Sequence, residues 1–262
     1  MSTSSTTTTT KPALPQDSPQ PTNTPITLLN TPLAQTYTHI HPILLLSIYT
    51  ARFSATVADP VSSLSQLAVV TAVLQSVYAV TCLPPTSEGS ATKNAEGASS
   101  ASNGSGGKWT KKPARTATRK GSLGARIWPA TLSLLLTPPL ALPPLTALAI
   151  LLGAPLTTHF PHTLLLSLHL ALLSAFPVLY THGVSARTWR GVLGLMRPVD
   201  EVVGGALGAL LGAWLGCVPV PLDWDRDWQA YPVTLVTGAY VGYVVGKVAG
   251  GTVMRGWVVS FD

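Results

Sequence analysis

The chain has 262 residues, of which only 10% are charged, and its net charge is +6. Ordinary soluble domains carry about 25% charged residues, and so few charges cannot cover the surface of a water-soluble globule of this size. A soluble enzyme is therefore excluded, and a protein that crosses a membrane several times is the default.

The first segment, 1–36, is Ser, Thr or Pro at 21 positions, including the run Thr6 to Thr10. Such a composition cannot bury a core and predicts a disordered tail. No basic stretch followed by a short apolar core and a cleavage site is visible, so insertion is expected to rely on the first span.

Crossing about 30 Å of hydrocarbon takes roughly 20 apolar residues. Segment 37–83 supplies two predicted spans, His39–Ala58 and Val61–Leu83. A loop, 84–126, follows and is rich in Ser, Gly, Ala and Lys, which predicts flexibility. Segment 127–262 supplies four more spans, Ile127–Leu152, His162–Tyr180, Val199–Val220 and Ala230–Gly250, and a short tail. The predicted fold is thus all-α: a polytopic transmembrane bundle of about six spans.

Charge placement orients it. Loop 84–126 contains Lys108, Lys111, Lys112, Arg115, Arg119, Lys120 and Arg126, and no acid interrupts that cluster. Basic loops face the cytosol, so the loop, both termini and the connection 183–198 with Arg187, Arg190 and Arg197 are expected there. The cluster is read as a topology signal that needs nothing further, with contact to anionic head groups as the less favoured addition, and nucleic-acid binding is not expected. Asn103 begins a glycosylation sequon, Asn103-Gly104-Ser105, that this orientation leaves unmodified.

The third span contains Pro129, Pro138, Pro139, Pro143 and Pro144. Each interior proline removes a donor and crowds the carbonyl four residues back, so a kinked span is expected, with a re-entrant hairpin as the competing reading. Further along, Gly204, Gly208, Gly212 and Gly216 form one ladder, and Gly238, Gly242, Gly246 and Gly250 form a second. Steps of four place each set on a single helix stripe, where small residues let backbones approach closely. Two readings stay open: the stripes pack on each other, or one receives a helix from another protein.

Between the ladders lies Asp223-Trp224-Asp225-Arg226-Asp227-Trp228. Alternate carboxylates suggest a divalent cation, but Arg226 opposes one, and Trp224 and Trp228 fit an interfacial belt. The preferred reading is an interface turn held by local ion pairs, with no metal. Arg52 and Lys247 lie within predicted spans; Lys247 is expected to reach outward to the surface, and Arg52 either does so or pairs inside the bundle. His162 and His169 share a helix face, but no metal-binding spacing completes a site, so buried, hydrogen-bonded histidines are expected. No nucleophile elbow, phosphate-binding loop or dinucleotide fingerprint is present, so neither a catalytic residue nor a cofactor is assigned. Cys82 and Cys217 fall at opposite ends of the bundle and are expected to stay unpaired.

The stretch Gly212-Ala213-Trp214-Leu215-Gly216-Cys217-Val218-Pro219-Val220-Pro221-Leu222-Asp223-Trp224-Asp225-Arg226-Asp227-Trp228-Gln229, continued through Pro232 into Gly238-Ala239-Tyr240-Val241-Gly242-Tyr243, resembles the PIG-F family of glycosylphosphatidylinositol (GPI) anchor biosynthesis. Where the family often has proline after the arginine, this chain has Asp227, and Tyr231 replaces a tryptophan before Pro232. The resemblance implies residence in the endoplasmic reticulum membrane. It also implies a part in adding ethanolamine phosphate to mannoses of the GPI precursor, through association with large transferase subunits of the PIG-O and PIG-G type. The phosphotransfer site would then belong to the partner, and this chain would be an accessory subunit. The competing class is an autonomous membrane enzyme or lipid-handling protein that presents or moves phosphatidylethanolamine or the GPI precursor.

Overall fold

The computed structural model describes residues 24–86 and 123–258. The Thr6 to Thr10 run, Asn103 and the basic cluster from Lys108 to Lys120 lie outside the described residues. Among the described residues every regular element is helical.

The helices begin where the sequence supplies caps. Helix α1, Pro32–Ala51, starts with Thr31, whose hydroxyl accepts from the Ala34 amide at 3.2 Å, and with Pro32, whose missing N–H costs nothing in a first turn. The chain bends at Arg52 into the short α2, Phe53–Ala58, and Asp59 then caps α3, Pro60–Cys82, by accepting from the Ser62 amide. Helix α4, Leu123–Leu151, contains all five prolines yet runs as a single helix of 29 residues. At 1.5 Å per residue that is about 43 Å, enough to cross the hydrocarbon with tilt. The chain does not reverse within this segment, so the re-entrant hairpin is not its structure.

Helices α5, Phe160–Leu170, and α6, Phe176–His182, are joined by a π-helical turn, Ala171–Ala175, into one continuous rod. Pro177 explains the turn: in a regular helix its ring would crowd the Leu173 carbonyl, and the wider turn just before it relieves that clash. Gly183, at φ 72°, ends the rod in a conformation that a side chain would resist. A short amphipathic helix, α7, Ala186–Leu193, crosses to α8, Glu201–Leu215, and α9, Val233–Gly251, completes the bundle.

Four rods are long and apolar enough to cross a membrane: α3, most of α4, the joined α5–α6, and α9. Helix α8 is apolar but has only 15 residues, about 22 Å of rise, and the turns that follow it continue through Leu222. Counting α8, successive rods from α3 to α9 alternate in direction, with α5–α6 taken as one rod. One end of the bundle gathers the start of α1, the end of α3, α7 and the start of α8; it is called the basic end here, after the arginines of 187–197. The opposite end holds the 216–232 connection and is called the turn end.

The interior is built around large rings. Tyr49, Tyr78, Tyr180, Tyr240 and Phe176 are all buried. Tyr49 and Tyr240 stack at 4.6 Å between α1 and α9. Apolar side chains cover the outside: Leu135 is 72% exposed and Trp128 67%. In water that surface would aggregate; against lipid it costs nothing.

Candidate functional site

The two glycine ladders face each other, antiparallel, along α8 and α9. A β-carbon on Gly204 would collide with the carbonyl of Gly246, one on Gly208 with that of Gly242, and one on Gly212 with that of Gly238. The collisions are reciprocal: Gly238, Gly242 and Gly246 point at the carbonyls of Gly212, Gly208 and Gly204. Gly216 meets the Thr234 carbonyl and Gly250 that of Asp200. Backbone therefore lies on backbone for the length of both helices. Each Cα–H aims at a carbonyl of the other helix, a weak hydrogen bond repeated at every step.

Glycines leave the outer side of this contact bare. A groove of about 1170 Å³ follows the seam from Trp228 and Pro219 at the turn end to Met254 and Trp257 at the basic end. Between those ends its walls are mainly Leu211, Leu215, Val241 and Val245 and the glycines themselves. Leu211 and Val245 are 59% and 62% exposed.

The turn between the helices is clasped by Gln229. Its amide nitrogen donates to the carbonyls of Pro219 and Leu222, both at 2.8 Å, and its amide oxygen accepts from the Arg226 N–H at 3.0 Å. The sequence motif contains Gln229, but nothing in its spacing marks this role. Asp223, Asp225 and Asp227 are exposed, and the rings of Trp224 and Trp228 lie 5.8 Å apart. Asp225 holds φ 51°, a conformation aspartate tolerates better than most residues. Pro221 turns away from the groove toward α4. Among the described residues no three His, Cys, Asp or Glu side chains are placed to hold a metal ion.

Two polar clusters lie inside the bundle; the first bears out the buried, hydrogen-bonded histidine expected at His169, whereas His162 is only half-buried. In the first, His169 is fully buried. Its Nδ1 meets the Tyr240 hydroxyl at 2.9 Å, its Nε2 meets the Leu64 carbonyl at 3.1 Å, and Tyr240 also bonds Thr71. In the second, Lys247 departs from expectation. It is 3% exposed, lies 3.7 Å from the centroid of the Tyr78 ring, and donates to the Thr38 carbonyl at 3.2 Å. The reason is local. Glu201 lies nearby, accepting from Thr38 Oγ1 and the Tyr78 hydroxyl, and an inward ammonium is stabilised by a ring face, a carbonyl and a carboxylate together. His41 stacks on Tyr78 at 4.5 Å. Arg52 donates to the Gln66 side chain. Cys82 and Cys217 are free thiols.

Just before α8, outside the helix, Asp200 accepts from the amides of Val202 and Val203 at 2.9 Å and of Ile26 at 3.1 Å. Burial pushes its carboxyl above the ordinary range, while these amides and Arg255 act in the opposite direction. It fixes the start of α8 and ties the incoming chain to it.

The fold and surface define a multi-pass α-helical membrane protein in which a backbone-to-backbone helix pair is joined by a clasped turn. The family model for the GPI biosynthesis protein family Pig-F matches residues 40–251. Three fungal relatives carry the name glycosylphosphatidylinositol anchor biosynthesis protein 11. That of Aspergillus fumigatus is 43% identical over 90% of this chain and 85% of its own length. That of Pyricularia oryzae is 45% identical over 82% and 75%, and that of Neurospora crassa 41% identical over 88% and 80%. No solved structure matches. The chain belongs to the Pig-F family, and its role lies in GPI anchor biosynthesis.

Proposed function

We propose that this chain is an accessory subunit of an ethanolamine phosphate transferase complex in the endoplasmic reticulum membrane. In this reading it stabilises or assists a large transferase subunit of the PIG-O or PIG-G type, and both of its termini lie in the cytosol. The observation that carries the reading is the groove along the α8–α9 seam. It is apolar, runs nearly the length of both helices, and has a floor of glycine backbone that a partner's membrane helix can approach closely.

Filling the groove tests this without disturbing the glycine contact. Leu211 and Val245 are exposed on its walls, so Leu211→Trp with Val245→Trp should leave the bundle folded. The large transferase subunit should then fail to co-purify from mild detergent. Recovery of that subunit at the wild-type yield would overturn the reading. An assay of the chain purified alone, with phosphatidylethanolamine and a GPI precursor, separates it from the autonomous-enzyme class: transfer should need the added large subunit.

A further inference from the structure

A second apolar crevice lies on another face of α8, under the proline-rich helix α4. It has two compartments, of about 290 and 460 Å³, that share Leu145, Leu148 and Leu210 as walls. One reaches Pro221 and Tyr231 at the turn end, and the other reaches Val184 and Trp189 at the basic end. The outer wall, α4, rests loosely on the bundle: 17% of its most apolar stretch is buried, against 83% for the joined α5–α6 rod. The inner wall is lowered by small residues, Ala206 and Ala213 on α8 and Ser174 and Ala175 of the π-helical turn. The crevice thus opens sideways into lipid over most of the bundle's depth.

Its basic end is closed by α7. Trp189, Val192 and Leu193 of that helix line the crevice, while Arg187 and Arg190 stand exposed on its other sides. The side chain of Arg197 lies against Gly191, which adds a third arginine beside α7. No acidic residue occurs from Gly183 to Pro198. A short helix with an apolar inner face and an arginine-bearing outer face belongs at the head-group level of a bilayer. Compartments this small do not admit another helix, which with side chains is about 10 Å across; they suit a slender chain. Depth and rim together have the complementarity of one kind of molecule, with a hydrocarbon tail and an anionic head.

We infer that the crevice between α4 and α8 binds one acyl chain of an anionic glycerophospholipid, with the lipid phosphate held at Arg187, Arg190 and Arg197. The inference rests on this crevice alone and not on the docking groove.

The test uses the full chain in phosphatidylcholine nanodiscs doped with phosphatidylserine that carries a mid-chain photoactivatable group. Cross-links should map to the 140–148 and 206–213 segments. Labelling should exceed that by an equally labelled phosphatidylcholine, and fall about fivefold for each arginine neutralised, as in Arg187→Gln and Arg190→Gln. Leu148→Trp, which fills the shared wall, should abolish labelling while leaving the thermal midpoint of the protein unchanged. Equal labelling by both lipids, cross-links spread evenly around the bundle, or a crevice shielded by a co-purifying protein segment would each overturn the inference. None of these outcomes bears on whether the transferase subunit docks at the other groove.

Discussion

Lys247 stands one turn from the end of α9, where a lysine in a membrane helix ordinarily extends to the head groups. It turns inward because Tyr78, the Thr38 carbonyl and the nearby Glu201 side chain together replace the water it gives up. Removing the ammonium takes the opposite charge away from the neighbourhood of Glu201. Lys247→Met is therefore expected to cost about 1–3 kcal/mol, read as a lower thermal midpoint in detergent; an unchanged midpoint would mean that the inward position contributes nothing. Gln229 is the second residue whose weight exceeds its conspicuousness. Its amide makes three hydrogen bonds to the backbone of one turn. Gln229→Ala is expected to loosen that turn by about 2 kcal/mol, seen as faster proteolysis between Pro219 and Tyr231 with the helices still intact. Protection equal to wild type would show that the clasp is dispensable.

Among the elements, the α8–α9 pair turns a familiar sign around. In an exposed helix, Gly→Ala gains up to about 1 kcal/mol from propensity. At Gly212 the new methyl would meet the Gly238 carbonyl and stand 2.9 Å from the Gly242 Cα, and backbone cannot rotate out of the way as a side chain can. Overpacking of this kind costs about 1–3 kcal/mol, so Gly212→Ala should destabilise the protein by about 1–2 kcal/mol net. Stabilisation on differential scanning would refute the direct contact. The second element-scale lesson is α4. Five prolines predicted a kinked span in preference to a re-entrant hairpin, and one helix spans Leu123–Leu151. Two hydroxyls, Thr131 and Thr137, also donate to the Ile127 and Ser133 carbonyls one turn back.

For the whole molecule, the arrangement of ends follows from the alternation of the rods, and the charges rank the two faces. Arg187, Arg190, Arg197 and Arg255 fall at one end with Asp200 and Glu201, and Arg226 lies with Asp223, Asp225 and Asp227 at the other. In the orientation proposed above, the basic end faces the cytosol, as the positive-inside rule predicts. Asn103 should accordingly carry no glycan: endoglycosidase treatment of the protein from native membranes is expected to leave its electrophoretic mobility unchanged. A shift would reverse the orientation of the whole bundle.

Membrane class, helical architecture and family were legible in the chain because each depends on additive or local properties. Charge scarcity sums over residues, and the motif from Pro219 to Gln229 is contiguous. The glycine stripes were legible as stripes, since a step of four is a property of one helix. Which surface each stripe meets was not, because a stripe that accepts a neighbour within the chain is indistinguishable from one that accepts a partner. Tertiary structure decided that point by placing Gly204, Gly208 and Gly212 against Gly246, Gly242 and Gly238. It also decided the inward lysine and the two crevices, for the same physical reason. Burial and cavities arise from surfaces brought together out of distant segments, such as Thr38 and Lys247, 209 positions apart, and no local pattern specifies that pairing.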